Sequence, residues 1–132
     1  MSFGFAPRAA NAYAQVGLET GVSDADPHRL ILMLFEGALL SIATASAAID
    51  GKDIPGKGQA ISKAIEIIND GLKLSLDYEA GGDLAQKLAA LYDYMTSRLL
   101  YANLHSSRPA LEEVAGLLRD IKGAWESIGT TI

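Results

Sequence analysis

Hydrophobic residues recur at three- and four-residue spacings along most of the chain after residue 25, the pattern of amphipathic helices. The longest run is LILMLFEGALLSIATASAAI, residues 30–49, in which Glu36 is the one charged residue. A helix buried on one face needs a single apolar stripe. This run has two, a broad one of Ile31, Leu34, Phe35, Ala38, Ile42, Ala45 and Ile49, and another of Leu32, Leu39, Ala43 and Ala47. The helix therefore needs cover on more than one side, from a membrane, from other helices or from a partner.

Capping residues predict where the helices begin and end. Asp26 is a good N-cap and Pro27 suits a first helical turn. Gly81 and Gly82 are predicted to end the second helix, because glycine tolerates the left-handed conformation of a helix C-terminus. Asp83 and Pro109 are predicted to open the third and fourth helices. The predicted helices are about residues 27–50, 59–78, 83–105 and 109–128.

Four helices of similar length with short connections predict an all-α fold, an antiparallel up-down four-helix bundle. A chain of 132 residues is expected to form a single domain. We assign residues 26–132 to the bundle. Residues 1–25, which contain Pro7 and three glycines, are predicted to be a flexible N-terminal arm long enough for a short fifth helix.

The first three predicted helices carry more apolar residues than a bundle core requires, whereas the fourth has a single apolar stripe. The predicted core stripes are Ile61, Ile65, Ile68, Leu72 and Leu76 on the second helix, Leu84, Leu88, Leu91, Met95, Leu99 and Ala102 on the third, and Leu111, Val114, Leu118, Ile121, Trp125 and Ile128 on the fourth. Outside these stripes lie Ile67, Leu74 and Tyr78, and Tyr94, Leu100, Tyr101 and Leu104. A large exposed apolar patch marks a binding site or an interface. The arm, uneven packing or a homodimer would also absorb the surplus.

The run of residues 30–49 has the length of a membrane span. A soluble helix is favoured, because Glu36 lies near its middle and no Trp or Lys/Arg cluster flanks it. No membrane insertion is therefore expected.

Composition narrows the classes of partner. The chain has 11 Lys and Arg against 16 Asp and Glu, a formal net charge of -5. This balance disfavours nucleic acid, because binding phosphates needs a basic surface. The first residues lack the apolar run of a signal peptide, and the absence of cysteine fits a cytoplasmic protein.

No motif predicts catalysis, a cofactor or a metal. Gly51, Gly56 and Lys57 match part of a phosphate-binding loop, but Gly58 replaces the Ser/Thr that such a loop needs, and an Ala-rich helix precedes it. The two histidines, His28 and His105, belong to no pair with metal-ligand spacing. The protein is therefore not expected to be an enzyme.

Several stretches together resemble the flagellar export chaperone FliS family. They are YAQVGLET (13–20), DPHRLILMLFEGAL (26–39), SKAIEIINDGLKLSLDYEAGG (62–82), LAALYDYMTSRLLYAN (88–103) and EEVAGLLRDIKGAWESI (112–128). The resemblance implies a cytoplasmic antiparallel helical bundle that binds the disordered C-terminal segment of flagellin in apolar grooves. Such a chaperone blocks premature polymerisation and delivers flagellin to the cytoplasmic domain of the flagellar type III export gate. It also implies an arm that can fold over a groove, with a tyrosine matching Tyr13, and leaves room for a co-chaperone.

The residues expected to contact the partner combine the resemblance with the surplus apolar positions. They are Tyr13 and Val16 on the arm, Ile67, Leu74 and Tyr78 on the second helix, and Tyr94, Leu100, Tyr101 and Leu104 on the third. The alternative is a helical homo-oligomeric structural or adaptor protein whose surplus apolar faces form a self-interface.

Overall fold

The computed structural model describes residues 26–130, with side chains as far as Ile128, and every regular element in this part of the chain is helical. The elements are α1 (Pro27–Asp50), α2 (Ile54–Glu66), a π-helical segment (Ile67–Lys73) that continues α2, α3 (Tyr78–His105) and α4 (Arg108–Thr130). The predicted arm, with Tyr13 and Val16, lies outside the described residues.

The helices form a ring in which each packs against two neighbours. Helix α1 lies between α2 and α4, and α3 packs against α4 and against α2 with its π-helical continuation. Helices α1 and α3 are diagonal to each other, as are α2 and α4. Short connections between neighbours make consecutive helices antiparallel. The predicted all-α bundle is confirmed.

Helix α1 packs against α2 on one side and α4 on the other, and these contacts bury most of its large apolar residues. The largest fully buried side chains of the bundle include Phe35, Leu34, Ile61, Ile68, Met95, Leu99, Leu111 and Leu118. Among the described helices, only α1 has the length and mean hydropathy (1.9) of a membrane span, and half of that window is buried inside the bundle. Such a helix fits the core of a soluble protein.

Helix α2 begins at Ile54, so the prediction that residues 51–58 break the chain and the helix starts near residue 59 was wrong. The Asp53 carboxylate accepts a hydrogen bond from the Gly56 amide (3.0 Å) and caps the helix. Pro55 occupies the first turn, where its missing N–H leaves no bond unmade. The cap and the proline together outweigh the low helix propensity of Gly56 and Gly58.

The second helix also ends earlier than predicted. The π-helical segment closes at Lys73, and Asp77 caps α3 by accepting hydrogen bonds from the Glu79 and Ala80 amides (3.0 and 3.1 Å). Tyr78 therefore belongs to the first turn of α3. The predicted cap at Asp83 was wrong, but the predicted interruption is present as a kink at Gly82 (φ 51°, ψ −127°), a conformation that favours glycine.

Polar contacts hold the end of the bundle that carries the α1–α2 and α3–α4 connections. Arg108 forms an ion pair with Asp50 (2.8 Å), and the buried Lys57 ammonium donates to the Ser106 hydroxyl (2.7 Å). The lysine of the partial phosphate-loop motif therefore points into the bundle.

Gly71 lets α1 approach the π-helical segment closely. A Cβ atom at Gly71 would lie 3.1 Å from both δ-carbons of Leu34, which is fully buried. We expect Gly71→Ala to lower the free energy of unfolding by about 1–3 kcal/mol through overpacking, measured by urea denaturation. In the matched control, Gly116→Ala, the new methyl group meets nothing within 4 Å. This control should be neutral or stabilising by up to about 1 kcal/mol, and equal effects of the two changes would contradict the argument.

Candidate functional site

An apolar groove of about 330 Å³ opens at the end of the bundle where α1 begins and α4 ends. Residues of α3 and α4 form its two walls, and α1 and the end of the π-helical segment contribute the rest. Its lining consists of Ile31, Phe35, Leu72, Ser75, Leu76, Leu84, Leu88, Tyr92, Asp120, Ile121, Ala124, Trp125 and Ile128. Apart from the aromatic residues Tyr92 and Trp125, only Ser75 and Asp120 among these have polar side chains. The groove therefore suits an apolar ligand.

The rim of this groove is formed by two residues that the periodicity assigned to the core. Leu84 of α3 is 64% exposed and Ile128 of α4 is 45% exposed, so their predicted burial was wrong. Leu84 follows the Gly82 kink by two residues, and Ile128 lies near the end of α4. The apolar stripes of α3 and α4 thus extend beyond the part of each helix that is covered by neighbouring helices.

One wall of the groove, at Trp125, is fixed by a reciprocal contact between α1 and α4. The Trp125 indole N–H donates to the His28 carbonyl (2.9 Å), and His28 Nε2 lies 2.7 Å from the Trp125 carbonyl. The two rings stack with centroids 4.8 Å apart. The groove wall at Trp125 is therefore held by hydrogen bonds as well as by burial.

A second apolar surface lies along the outer side of α3. Its members are four of the predicted contact residues, all exposed: Tyr94, Leu100, Tyr101 and Leu104. Leu104, at 79%, is the most exposed large apolar residue in the described part of the chain. These four side chains therefore lie outside the buried core, and their contact with a partner stays a prediction.

The two tyrosines of this surface are oriented by charged neighbours. The Tyr94 hydroxyl donates to the Glu113 carboxylate, which also accepts from Arg98 Nε (2.8 Å). The Arg98 guanidinium lies 4.6 Å from the centre of the Tyr101 ring, and that ring lies 4.3 Å from His105. The contacts tie α3 to α4 and hold both aromatic rings in place.

These contacts shift two pKa values. The hydrogen bond from Tyr94 and then the one from Arg98 lower the pKa of Glu113, and the same bond to Glu113, followed by desolvation, raises the pKa of Tyr94. A lowered carboxyl pKa stabilises the fold at pH values above the unfolded-state pKa, and this contribution is lost as the pH falls through the folded-state pKa. The pair is exposed, so its effect on stability is small.

We expect an NMR titration to place the pKa of Glu113 below the ordinary value of 4.5. Tyr94→Phe removes the largest cause and should move the pKa of Glu113 upward, whereas the remote Tyr78→Phe should leave it unchanged. An unaltered Glu113 titration in Tyr94→Phe would show that the hydroxyl does not bind the carboxylate in solution.

The remaining predicted contact residues are scattered. Ile67 is buried, with its δ-carbon 3.4 Å from where a Cβ on Gly37 would lie, so it packs in the core. Leu74 is half-buried after the π-helical segment, and Tyr78 is exposed on the first turn of α3. The groove was not predictable from the sequence, because its lining comes mostly from the core stripes. The spacing of these residues does not show where the neighbouring helices stop covering them.

Residues 26–128 contain no group of three or more His, Asp and Glu side chains arranged to hold a metal ion. His28 is engaged with Trp125 and His105 lies against Tyr101.

Comparisons with known proteins agree on one family. The family model described as "Flagellar protein FliS" matches residues 9–131. The flagellar secretion chaperone FliS of Salmonella typhimurium is 51% identical over 117 residues, 89% of this chain and 87% of the relative. FliS of Escherichia coli is 45% identical over 92% of this chain and 90% of the relative, and FliSB of Pseudomonas aeruginosa is 46% identical over 94% and 98%.

Proposed function

Because this chain belongs to the FliS family of flagellar secretion chaperones, we propose that it binds the disordered C-terminal segment of flagellin in the cytoplasm. The observation that carries the proposal is the open apolar groove between α3 and α4. An amphipathic helix recognises such a groove by placing its apolar face in it. A flagellin segment seated there would be kept from other flagellin subunits, which prevents premature polymerisation.

The exposed side of α3 extends the contact beyond the groove. Tyr94, Leu100, Tyr101 and Leu104 form its centre, and Leu74, Tyr78, Ile67 and the arm residues Tyr13 and Val16 complete the proposed set. Ile67 is buried, so its proposed part is to support the exposed residues and not to contact the segment itself. Tyrosine suits this role because its ring supplies contact area at little entropic cost.

A segment that becomes ordered on binding uses part of the interaction energy for its own ordering. Its affinity is therefore moderate for a large contact, which permits release. We propose that release follows delivery to the cytoplasmic domain of the flagellar type III export gate. A co-chaperone or regulator is a further partner in this proposal. The chain works without a cofactor and without catalysis.

The proposal is tested with flagellin from the same organism, intact and lacking its C-terminal segment. We expect the intact protein and the isolated segment to bind, and the segment to gain helicity in far-UV circular dichroism when mixed with the chaperone. Truncated flagellin should bind at least about 100-fold more weakly, equivalent to about 2.7 kcal/mol. Flagellin shortened at its N-terminus is the control and should bind normally. Equal binding of intact and C-terminally truncated flagellin would overturn the proposal.

A self-associating structural protein remains the competing function, since apolar residues are exposed on α1 and α2 as well. Leu40 and Ile54 are 69% and 62% exposed. Light scattering separates the two functions, because a chaperone with a vacant groove should be monomeric at micromolar concentration. A stable oligomer that does not bind flagellin would favour the self-interface.

A further inference from the structure

Asp120 is the one charged residue in the lining of the groove. Of its two aliphatic polar residues, Ser75 is buried and its hydroxyl donates to the Gly71 carbonyl (2.6 Å). Asp120 is exposed on α4, and within residues 26–128 its carboxylate takes part in no ion pair or side-chain hydrogen bond. The groove therefore has a single anionic group, and it lies on one wall.

The position of Asp120 on α4 is defined by the contacts of its neighbours. Lys122 lies 4.0 Å from Glu36, on the side of α4 that faces α1. Glu113, seven residues before Asp120, contacts α3. Two helical turns separate Glu113 from Asp120, about 10.5 Å along the axis, and residues seven apart share a face. Asp120 thus lies on the edge of α4 that faces α3.

The two carboxylates differ in what α3 offers them. Glu113 meets Tyr94 and Arg98, both hydrogen-bond donors. Because α3 and α4 are antiparallel, helix periodicity predicts that the α3 positions opposite Asp120 lie seven residues earlier, at Lys87 and Leu91. Leu91 has no donor, and Lys87 is exposed and forms no ion pair in the described part of the chain. The charge of Asp120 is available to a guest.

We propose that Asp120 sets the direction in which the bound segment lies, by accepting a hydrogen bond from a Lys or Arg at the edge of the segment's apolar face. This inference rests on the proposed function. Burial of apolar area is nondirectional and leaves an amphipathic helix nearly free to bind in either direction. A single charged contact at one wall discriminates between them, since reversal leaves the carboxylate unpaired beside apolar surface.

The first test measures affinity and its dependence on salt. The full-length protein is titrated calorimetrically with the isolated C-terminal segment of flagellin at about 50 and about 300 mM NaCl. Asp120→Asn should bind about tenfold more weakly at low salt and lose part of the salt dependence of the wild type. The control is Glu112→Gln on the same helix, where an exposed carboxylate outside the groove also lacks an ion pair. It should bind within about twofold of the wild type.

The second test identifies the basic residue. Each Lys and Arg of the segment is changed to Glu in turn and titrated against the wild type and Asp120→Lys. One exchange should weaken binding to the wild type and restore binding to Asp120→Lys. If Asp120→Asn weakens binding but no exchange restores it, the carboxylate meets another group and the inference is overturned.

Failure of the inference can be told apart from failure of the proposed function. If the wild type binds the segment and Asp120→Asn binds it equally well, the orienting role is excluded and the chaperone function stands. If the wild type does not bind the segment, both are overturned. Lys87→Gln tests the direction of the electrostatic effect. Removal of a cation near Asp120 should leave the affinity for the segment's Lys or Arg unchanged or make it stronger.

Discussion

Trp125→Ala is expected to lower the free energy of unfolding by about 3–5 kcal/mol, the range for truncation of a large buried aromatic residue. Trp125 is buried near the end of α4, stacks on His28 and donates to the His28 carbonyl. Its loss removes apolar contacts from the groove and the hydrogen bond that the indole donates to the His28 carbonyl. Urea denaturation followed by far-UV circular dichroism measures the change.

Trp125→Phe is the matched control, since it keeps an aromatic ring and removes the indole N–H. We expect a smaller loss, about 1–3 kcal/mol, from the missing hydrogen bond and the reduced area. A loss below about 1 kcal/mol for Trp125→Ala would show that α4 is not held to α1 at this end.

The double substitution Leu84→Asp with Ile128→Asp is expected to weaken binding of the flagellin segment by at least about 100-fold, or about 2.7 kcal/mol. The two residues form the rim of the groove, so a seated apolar face would have to desolvate two carboxylates. Both positions are exposed, and the free energy of unfolding should change by less than about 1 kcal/mol. Titration calorimetry and denaturation on the same preparation separate these effects.

The control for the rim is Leu40→Asp with Ile54→Asp. These residues are as exposed as the rim pair (69% and 62%) but lie on α1 and α2, away from the groove. Binding should stay within about twofold of the wild type. Weakening by the control pair and not by the rim pair would place the flagellin site on the α1–α2 side.

The sequence predicted the bundle because its helices are long and strongly periodic. The start of α1 was also predictable, since Asp26 accepts from the Arg29 amide (3.2 Å) as an N-cap should. The start of α2 was missed because the three glycines of residues 51–58 favour a loop, although Asp53 in the same stretch is the N-cap. Its end was missed because a π-helical segment keeps a helical pattern while changing which residues face inward.

The exposure of candidate site residues was predictable for positions off the core stripes and not for positions on them. Tyr94, Tyr101 and Leu104 lie off the α3 core stripe, and periodicity alone indicates their exposure. Leu84 and Ile128 are on the stripes, and their exposure follows from where neighbouring helices end. The contact between His28 and Trp125 spans 97 residues of sequence, and no local pattern signals it.

That contact also brings the beginning of α1 and the end of α4 to the same pole of the molecule. A circularly permuted protein, in which a short linker joins these two points and new termini open between Ser106 and Ser107, should therefore keep the ring of helices. The order in which the helices emerge during synthesis would change, while the groove would be built from the same side chains.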